Sequence, residues 1–484
     1  MQKSILLITP PYHCGVLESA GTWMPLGMVY IAGGLQNAGY SVKIYDAMSK
    51  FHSFDDIRDR IKDHDPDAVG TGAYTSSLYD AIRVLKIAKQ IDPEIITFLG
   101  GIHPTFCWED VLKKDGNTVD YIIRGEGEIT TTDLLDQVFE GKIPDVPGIA
   151  YVNDGRIICS EERPLISDLD ALPAAWDLVE WKDYSFKTKK NSTLAVVSSS
   201  RGCTQQCTFC SQRLFWRQKW RARSPQNFVD ELEHLNSTYG VDVAMIADET
   251  PTCDRQRWEL ILDLLIERKL DLEILMETRV EDILRDKDIM DRYAKAGILH
   301  IYVGAEAATQ DALDRYKKNL RIEESKQAID LINNAGIISE TSFVLGMPDE
   351  TPGSIESALE LAKYYNPDLA FFLAIAPWPY SDVYPELEPY IEEFDYSKYN
   401  LVEPIVRPLN MTREELNRNL LRAFREFYIE KLEKIDEMSK FKKSYMIEVT
   451  RLLVNNSYLS SQMKGEMPPG AKRFIEKYIN KDSA

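Results

Sequence analysis

Positive charge is scarce in this chain. Its 57 Lys and Arg stand against 77 Asp and Glu, a formal net charge of −20 over 484 residues. That balance argues against a general binder of phosphate backbones, which is held by Lys and Arg, so no nucleic-acid partner is expected. Long apolar runs are also missing. None reaches the ~18 residues that a membrane-spanning helix needs. Met1 to Pro10 is too short in apolar character for a signal peptide and reads as a first strand, so the expected location is cytoplasmic. There are seven cysteines, and Cys14, Cys107, Cys159 and Cys253 are too scattered to suggest a disulfide framework. What is present is an ordinary globular composition, 44% apolar and 28% charged, over a length that suits two or three domains.

The remaining three cysteines carry the chemistry. Arg201-Gly202-Cys203-Thr204-Gln205-Gln206-Cys207-Thr208-Phe209-Cys210 follows the apolar run Thr193 to Val197 in a C-x3-C-x2-C spacing. Three thiolates so spaced can hold three irons of a [4Fe–4S] cube and leave the fourth iron open for chemistry. A zinc knot would need a fourth closing ligand, and no Cys or His lies nearby to supply it. A disulfide does not suit a chain without a secretory signal. The spacing resembles that of the radical S-adenosylmethionine (SAM) enzymes. The resemblance implies that Cys203, Cys207 and Cys210 ligate the cluster, that SAM chelates the open iron, and that its reductive cleavage gives a 5′-deoxyadenosyl radical. A reductant such as flavodoxin or ferredoxin is then implied, and an anaerobic setting.

From Lys3 to about Glu140, apolar strand runs (Ile5–Thr9, Ser41–Tyr45, Ala68–Thr71, Ile95–Leu99, Tyr121–Ile123) alternate with helical stretches. Five such strands imply a doubly wound parallel sheet, with ligands at the carboxyl ends of its strands. Those ends read Thr9-Pro10-Pro11, Thr71-Gly72-Ala73-Tyr74-Thr75, Gly100-Gly101-Ile102-His103-Pro104 and Arg124-Gly125-Glu126-Gly127-Glu128. Glycines there allow close backbone approach to a bulky ligand, and also serve any tight turn. With the cysteine motif downstream, the arrangement resembles the cobalamin-binding domain of one radical SAM subfamily. The resemblance points to Thr9, Pro10, Tyr74, Thr75, Gly100, Gly101, His103, Gly125 and Glu126 as cofactor contacts. Many cobalamin domains carry Asp-x-His-x-x-Gly after the first strand. Here Pro10-Pro11-Tyr12-His13-Cys14-Gly15 stands instead, so cobalt is expected to have no histidine from this motif. His13 reads as a turn residue, and His103 either touches the corrin or caps the following helix.

Residues 143–190 change texture. Ile149–Val152 and Arg156–Cys159 flank Asn153-Asp154-Gly155 as a β-hairpin, and Leu165 to Pro173 is extended, so the segment reads as a linker. Beyond the cysteines, strand candidates Val243–Ala247, Ile274–Glu277, His300–Val303, Thr341–Val344 and Ala370–Ile375 alternate with helices. With the strand before the cysteines this makes six β/α units, fewer than the eight of a closed barrel. The expected fold is thus α/β. A cobalamin-binding domain (1–142) and linker precede a partial (β/α)6 radical SAM barrel (191–400) and a helical C-terminal region (401–484). The charged helix Thr412 to Met438 is expected over the barrel mouth. Asp248-Glu249, Arg279, Glu306 and Gly346-Met347-Pro348 sit at successive strand ends, where a barrel places its active site. By resemblance, Glu249 lies in the segment that grips the SAM amino group, Glu306 serves the ribose or methionine end, and Gly346 and Phe209 serve adenine; Arg279 could pair with a carboxylate bidentately.

Longer strings narrow the resemblance. Phe98-Leu99-Gly100-Gly101-Ile102-His103, Cys207-Thr208-Phe209-Cys210-Ser211-Gln212, Thr278-Arg279-Val280 and Pro377-Trp378-Pro379 are similar to the anaerobic magnesium-protoporphyrin IX monomethyl ester cyclases. This implies a small-molecule tetrapyrrole substrate, hydrogen abstraction, oxidation to a cation with cobalamin as acceptor, hydration and ring closure. The aromatic run Trp378 to Tyr384 suits a planar macrocycle or ordinary core packing equally. The other readings are a cobalamin-dependent radical SAM C-methyltransferase and a non-catalytic corrinoid or iron–sulfur carrier.

Overall fold

The computed structural model describes residues 2–14 and 20–456. Gly15 of the first strand-end stretch, and the tail beyond residue 456, lie outside the described residues. The first part is built from β1 Ser4–Ile8, α1 Leu26–Asn37, β2 Ser41–Tyr45, α2 Phe54–His64, β3 Ala68–Gly72, α3 Leu78–Ile91, β4 Ile96–Gly100, α4 Ile102–Asp115, β5 Tyr121–Ile123 and α5 Gly127–Phe139, followed by β6 Ile149–Asn153 and β7 Arg156–Cys159. Ile5, Leu6, Leu7 and Ile8 are all at most 2% exposed, as a strand covered on both faces requires. The strand order is β2-β1-β3-β4-β5-β6-β7. The first five strands are parallel, which is the flavodoxin-like doubly wound order. Its topological switch lies between β1 and β3, where Thr9-Pro10 and Ala73-Tyr74-Thr75 emerge.

Two elements differ from the sequence reading. The hairpin, read as a connector, pairs antiparallel with β5 and extends the first sheet by two strands. The helix expected from Trp108 begins six residues earlier, directly after Gly101, with a kink at Cys107. Pro104 falls in this helix's first turn, where proline is tolerated because its missing N–H has no partner to lose.

The second part holds β8 Leu194–Val197, the short ribbon β9 Ser200–Arg201 and β10 Arg221–Ala222, α6 Gln212–Phe215, α7 Pro225–Tyr239, β11 Val243–Ile246, α8 Arg255–Arg268, β12 Glu273–Thr278, α9 Val280–Arg285, α10 Met290–Lys295, β13 Ile298–Glu306, α11 Gln310–Arg315, α12 Ile322–Asn334, β14 Ile338–Leu345, α13 Pro352–Tyr365, β15 Leu369–Ala374 and α14 Tyr384–Leu387. Six parallel strands run β8-β11-β12-β13-β14-β15, the expected partial barrel.

The last helices, α15 Arg413–Glu433 and α16 Lys440–Asn456, lie mainly along the side of the barrel rather than over its mouth, with Leu416 at the start of α15 reaching Gly346 at a strand end. Phe424 and Phe427 of α15 meet Phe371 and Phe372 of edge strand β15, with ring centroids 6.2 and 6.5 Å apart. Tyr445 of α16 reaches Phe186, just ahead of β8, at 6.3 Å. A six-stranded sheet leaves the side between β15 and β8 uncovered, and burying apolar surface there is worth more than capping a polar mouth. Among the described residues, no helix is long and apolar enough to cross a membrane.

Candidate active site

The cysteine loop is anchored from several directions. Glu249, just past β11, accepts from the Gly202 amide at 3.1 Å and from Trp216 Nε1 at 2.7 Å, so one carboxylate holds the chain before and after the cysteines. The Thr208 amide donates to Tyr316 O (3.1 Å), and Thr208 O accepts from the Val383 amide (3.1 Å). Phe209 packs its ring edge-on against Tyr316, centroids 5.1 Å apart. Burial raises the Cys203 and Cys210 thiols, Cys210 to about 12; among the lesser causes, the cysteines' charges raise one another and amides at Gln205, Gln212 and Arg213 oppose the shift.

These residues fit a cluster. The thiols are near enough to feel each other's charge, and amide donors stand ready for thiolates. Among the described residues no three His, Cys, Asp or Glu side chains converge as ligands of one metal ion. A cubane does not require that, because each thiolate would bind a different iron.

Around the loop stand the barrel strand ends. Asp248 is 1% exposed and accepts from the Ser199 amide (2.9 Å), Ser199 Oγ (2.6 Å) and Ser200 Oγ (2.7 Å), tying β11 to the chain leaving β8. Arg279 pairs with Glu281; burial lowers its guanidinium, but the Glu281 carboxylate and, less, the nearby Cys207 and Cys203 raise it overall. Glu306 sits in the left-handed region (φ 65°), at a bulge in the β13–β14 register, and pairs with buried Lys318 at 2.6 Å. The Gly346 amide donates to Glu350 at 2.9 Å.

The strand ends of the first sheet face this group. Tyr74 is 72% exposed and lies near enough to the Glu249 carboxylate of the second sheet to feel its charge. Gly101 (φ 97°) crosses β3 so tightly that a Cβ would come within 2.6 Å of Ala73 O. At Gly125 (φ 78°) a Cβ would meet nothing within 4 Å. Gly100 ends β4 beside Ile123. Pro10 is buried beside Thr9, whose hydroxyl donates to Asp46 at 2.6 Å and accepts from the Met48 amide. His103 is 1% exposed, with Nδ1 3.1 Å from Thr75 Oγ1, which in turn lies 2.9 Å from Tyr380 OH. Its burial lowers the imidazole to about 4, so it stays neutral. His13 stacks on Phe51 with centroids 4.4 Å apart.

Glu126 is committed elsewhere. It is 8% exposed, and its oxygens accept from Arg201 Nη1 (2.8 Å), Arg221 Nη1 (2.9 Å) and the Ile166 amide (2.7 Å). Glu128 takes the other arm of Arg201 at 2.6 Å. Arg201 stands two residues before Cys203, so the loop after β5 of the first sheet is bolted to the cysteine loop of the second. Sequence reasoning missed Arg201, Arg221 and Glu128 in this role, as well as Lys318 and Arg257. Arg257 is buried and donates to the carbonyls of Arg223 (2.8 Å), Ser199 (2.6 Å) and Pro251 (3.3 Å), gathering three loops beneath the site. The one available signal was the recurrence of arginine beside the motif, at 201, 221 and 223.

A cobalamin-type sheet facing a three-cysteine barrel defines a class, and comparison with known proteins agrees. Residues 12–135 match the B12 binding domain and residues 197–362 the radical SAM superfamily. The chain is 40% identical to the anaerobic magnesium-protoporphyrin IX monomethyl ester cyclase of Rubrivivax gelatinosus, over 88% of this chain and 78% of that protein. It is 30% identical to an uncharacterised methyltransferase of Pyrococcus horikoshii, over 88% and 92%. The fold is shared with the cobalamin-dependent SAM radical enzyme OxsB in its aqua-cobalamin and SAM complex (TM-score 0.71, 15% identity, all of this chain and 75% of that one). The chain therefore belongs to the cobalamin-binding radical SAM enzymes, whose cofactors are a [4Fe–4S] cluster, SAM and cobalamin.

Proposed function

We propose that this enzyme is an anaerobic oxidative cyclase acting on a tetrapyrrole of the magnesium-protoporphyrin IX monomethyl ester type. The observation that carries the reading is the 40% identity to a cyclase of that name over 88% of the chain. Bound together, the cluster and SAM supply a 5′-deoxyadenosyl radical that takes hydrogen from unactivated carbon, and cobalamin supplies an electron acceptor for the resulting radical.

The chain's own residues hold and orient. Cys203, Cys207 and Cys210 hold the cluster, and Glu249 sets the loop that carries them. Arg279 offers a cation where the SAM carboxylate would lie. Glu306 and Lys318, as a buried pair, offer an acceptor and a donor to the ribose or methionine end. Gly346 and Phe209 border the adenine side. Tyr74, Gly100, Gly101 and Gly125 form the face that a flat corrin would cover. Electrons come from a flavodoxin- or ferredoxin-like protein, in an anaerobic cytoplasm.

The second reading, C-methylation with SAM as both radical source and methyl donor, draws on the methyltransferase relative, most of whose length this chain covers. Anaerobic incubation of reconstituted protein with magnesium-protoporphyrin IX monomethyl ester, SAM and cobalamin separates the two. A product with the fifth ring and its new oxygen supports the cyclase; a methylated product with S-adenosylhomocysteine refutes it.

A further inference from the structure

The interior of the barrel is not filled as barrels usually are. Branched apolar side chains dominate the inner layers of a closed (β/α)8 barrel. Here the residues between the buried Met276 and Thr278 on β12, between Ile301 and Val303 on β13, and next to Thr341 on β14 are Glu277, Tyr302, and the flanking Glu340 and Ser342. Strand register sets Glu277 opposite Tyr302 and Tyr302 opposite Glu340, in one layer across three strands. Tyr302 OH lies 2.6 Å from Ser342 Oγ, which fixes the ring on this inner face. One layer lower, His300 Nε2 is 2.9 Å from Glu340 Oε2, and Tyr445 OH of α16 is 3.2 Å from His300 Nδ1.

Glu277 stands at the upper end of this file, two residues below Arg279. Its carboxyl makes no hydrogen bond or ion pair with any described residue. A half-buried carboxyl without a partner, aimed into the lumen beneath the SAM end of the site, is costly for the fold and calls for a ligand. Burial raises its pKa to about 8, and the carboxylates of Glu249, Asp248, Glu340 and Glu306 add to the effect. A group titrating near working pH is well matched to moving a proton in either direction.

We propose that Glu277 is the proton acceptor for the water that adds to the oxidised substrate, and that Tyr302, Glu340 and His300 carry the proton away along the lumen. The proposal rests on the cyclase reading, in which a carbon cation is hydrated. The carbon–oxygen bond forms from a lone pair of water. One O–H bond of that water breaks, and its proton ends on the Glu277 carboxylate. No electron is gained or lost in this step. Tyr302, the register neighbour of both Glu277 and Glu340, gives the proton a route that avoids the cysteine loop.

The test uses reconstituted full-length protein with magnesium-protoporphyrin IX monomethyl ester in ¹⁸O-water. Glu277→Gln is expected to keep 5′-deoxyadenosine formation close to that of the parent while ¹⁸O-labelled product falls by at least about 100-fold, the lower range for a lost proton-transfer group. Glu277→Asp is expected to recover part of it. Without any cofactor, infrared spectra of the parent should show a carboxyl band, missing from Glu277→Gln, that gives way to the proton-accepting carboxylate as pH rises through about 8. Undiminished ¹⁸O product from Glu277→Gln, or a parent spectrum unchanged by that substitution, overturns this inference and leaves the cyclase reading standing. Methylated product from the parent overturns both.

Discussion

The two sheets present their ligand-facing strand ends in opposite ways. The first offers backbone and small residues: Gly100, Gly101 and Gly125, with Tyr74 the one large side chain thrust outward. Its polar groups there are spent internally, Thr9 on Asp46 and His103 on Thr75. The second offers charge: Glu249, Arg279, Glu306 and Lys318. A broad flat macrocycle is held by shape and by close main-chain approach, whereas a small zwitterion is held by placed charges. Between them, Arg201 with Glu126 and Glu128 keeps the two surfaces in register, a buried ion pair whose use lies in specifying geometry more than in stability.

Substitutions can break that contrast at either surface. The largest effect is expected at the cysteines: replacing any of Cys203, Cys207 or Cys210 by Ala should abolish both the cluster's absorbance and the cleavage of SAM, and surviving cleavage would refute the ligand assignment. Next comes the bolt between the sheets. Arg201→Met leaves Glu126 and Glu128 buried with one fewer counter-charge and should cost roughly 3–5 kcal/mol in denaturant unfolding; a change under about 1 kcal/mol would show that the pair does not hold the surfaces together.

The buried imidazole of the first sheet gives a pH dependence of known sign. His103 folds with a pKa of about 4, below the unfolded value near 6.5. The unfolded chain therefore binds the proton first. No penalty exists above pH 6.5, and one develops as pH falls toward 4, reaching roughly 3 kcal/mol at about 1.4 kcal/mol per pKa unit. Comparing urea midpoints at neutral and mildly acid pH, His103→Asn should lose less stability on acidification than the parent; parallel losses would show that His103 is not buried neutral. The smallest effect separates two glycines of the same surface. Gly125→Ala meets only backbone strain and should cost about 1–2 kcal/mol, while Gly101→Ala adds a collision with the Ala73 main chain and should cost more. Equal costs by thermal unfolding would mean the crossing at Gly101 is not tight.

How far the sequence could carry this was set by the range of the interactions involved. Strand runs such as Ile5–Thr9 and the C-x3-C-x2-C spacing are local, so periodicity and ligand chemistry exposed both sheets and an iron–sulfur cluster, while SAM and cobalamin came through the resemblance those strings carry. The helix after Gly101 is longer than the sequence reading has it, and its first turn, through Pro104, precedes a kink at Cys107. The hairpin beyond Gly148 was legible as a hairpin but not as two more strands of the first sheet, since nothing local says which edge it will pair with.

Residue types at successive strand ends were thus determined by the chain itself: three thiols in one loop, glycines after four strands, acids and an arginine after others. Which of those groups still face a ligand was decided only in three dimensions. Glu126 turned out to be satisfied by two arginines some 75 and 95 residues away and Thr9 by Asp46, while Glu277, unremarkable in sequence, was left with no partner among the described residues. The reason is that a polar side chain's availability depends on what else is brought to it, and burial forces every such group to find a partner or keep one free for chemistry.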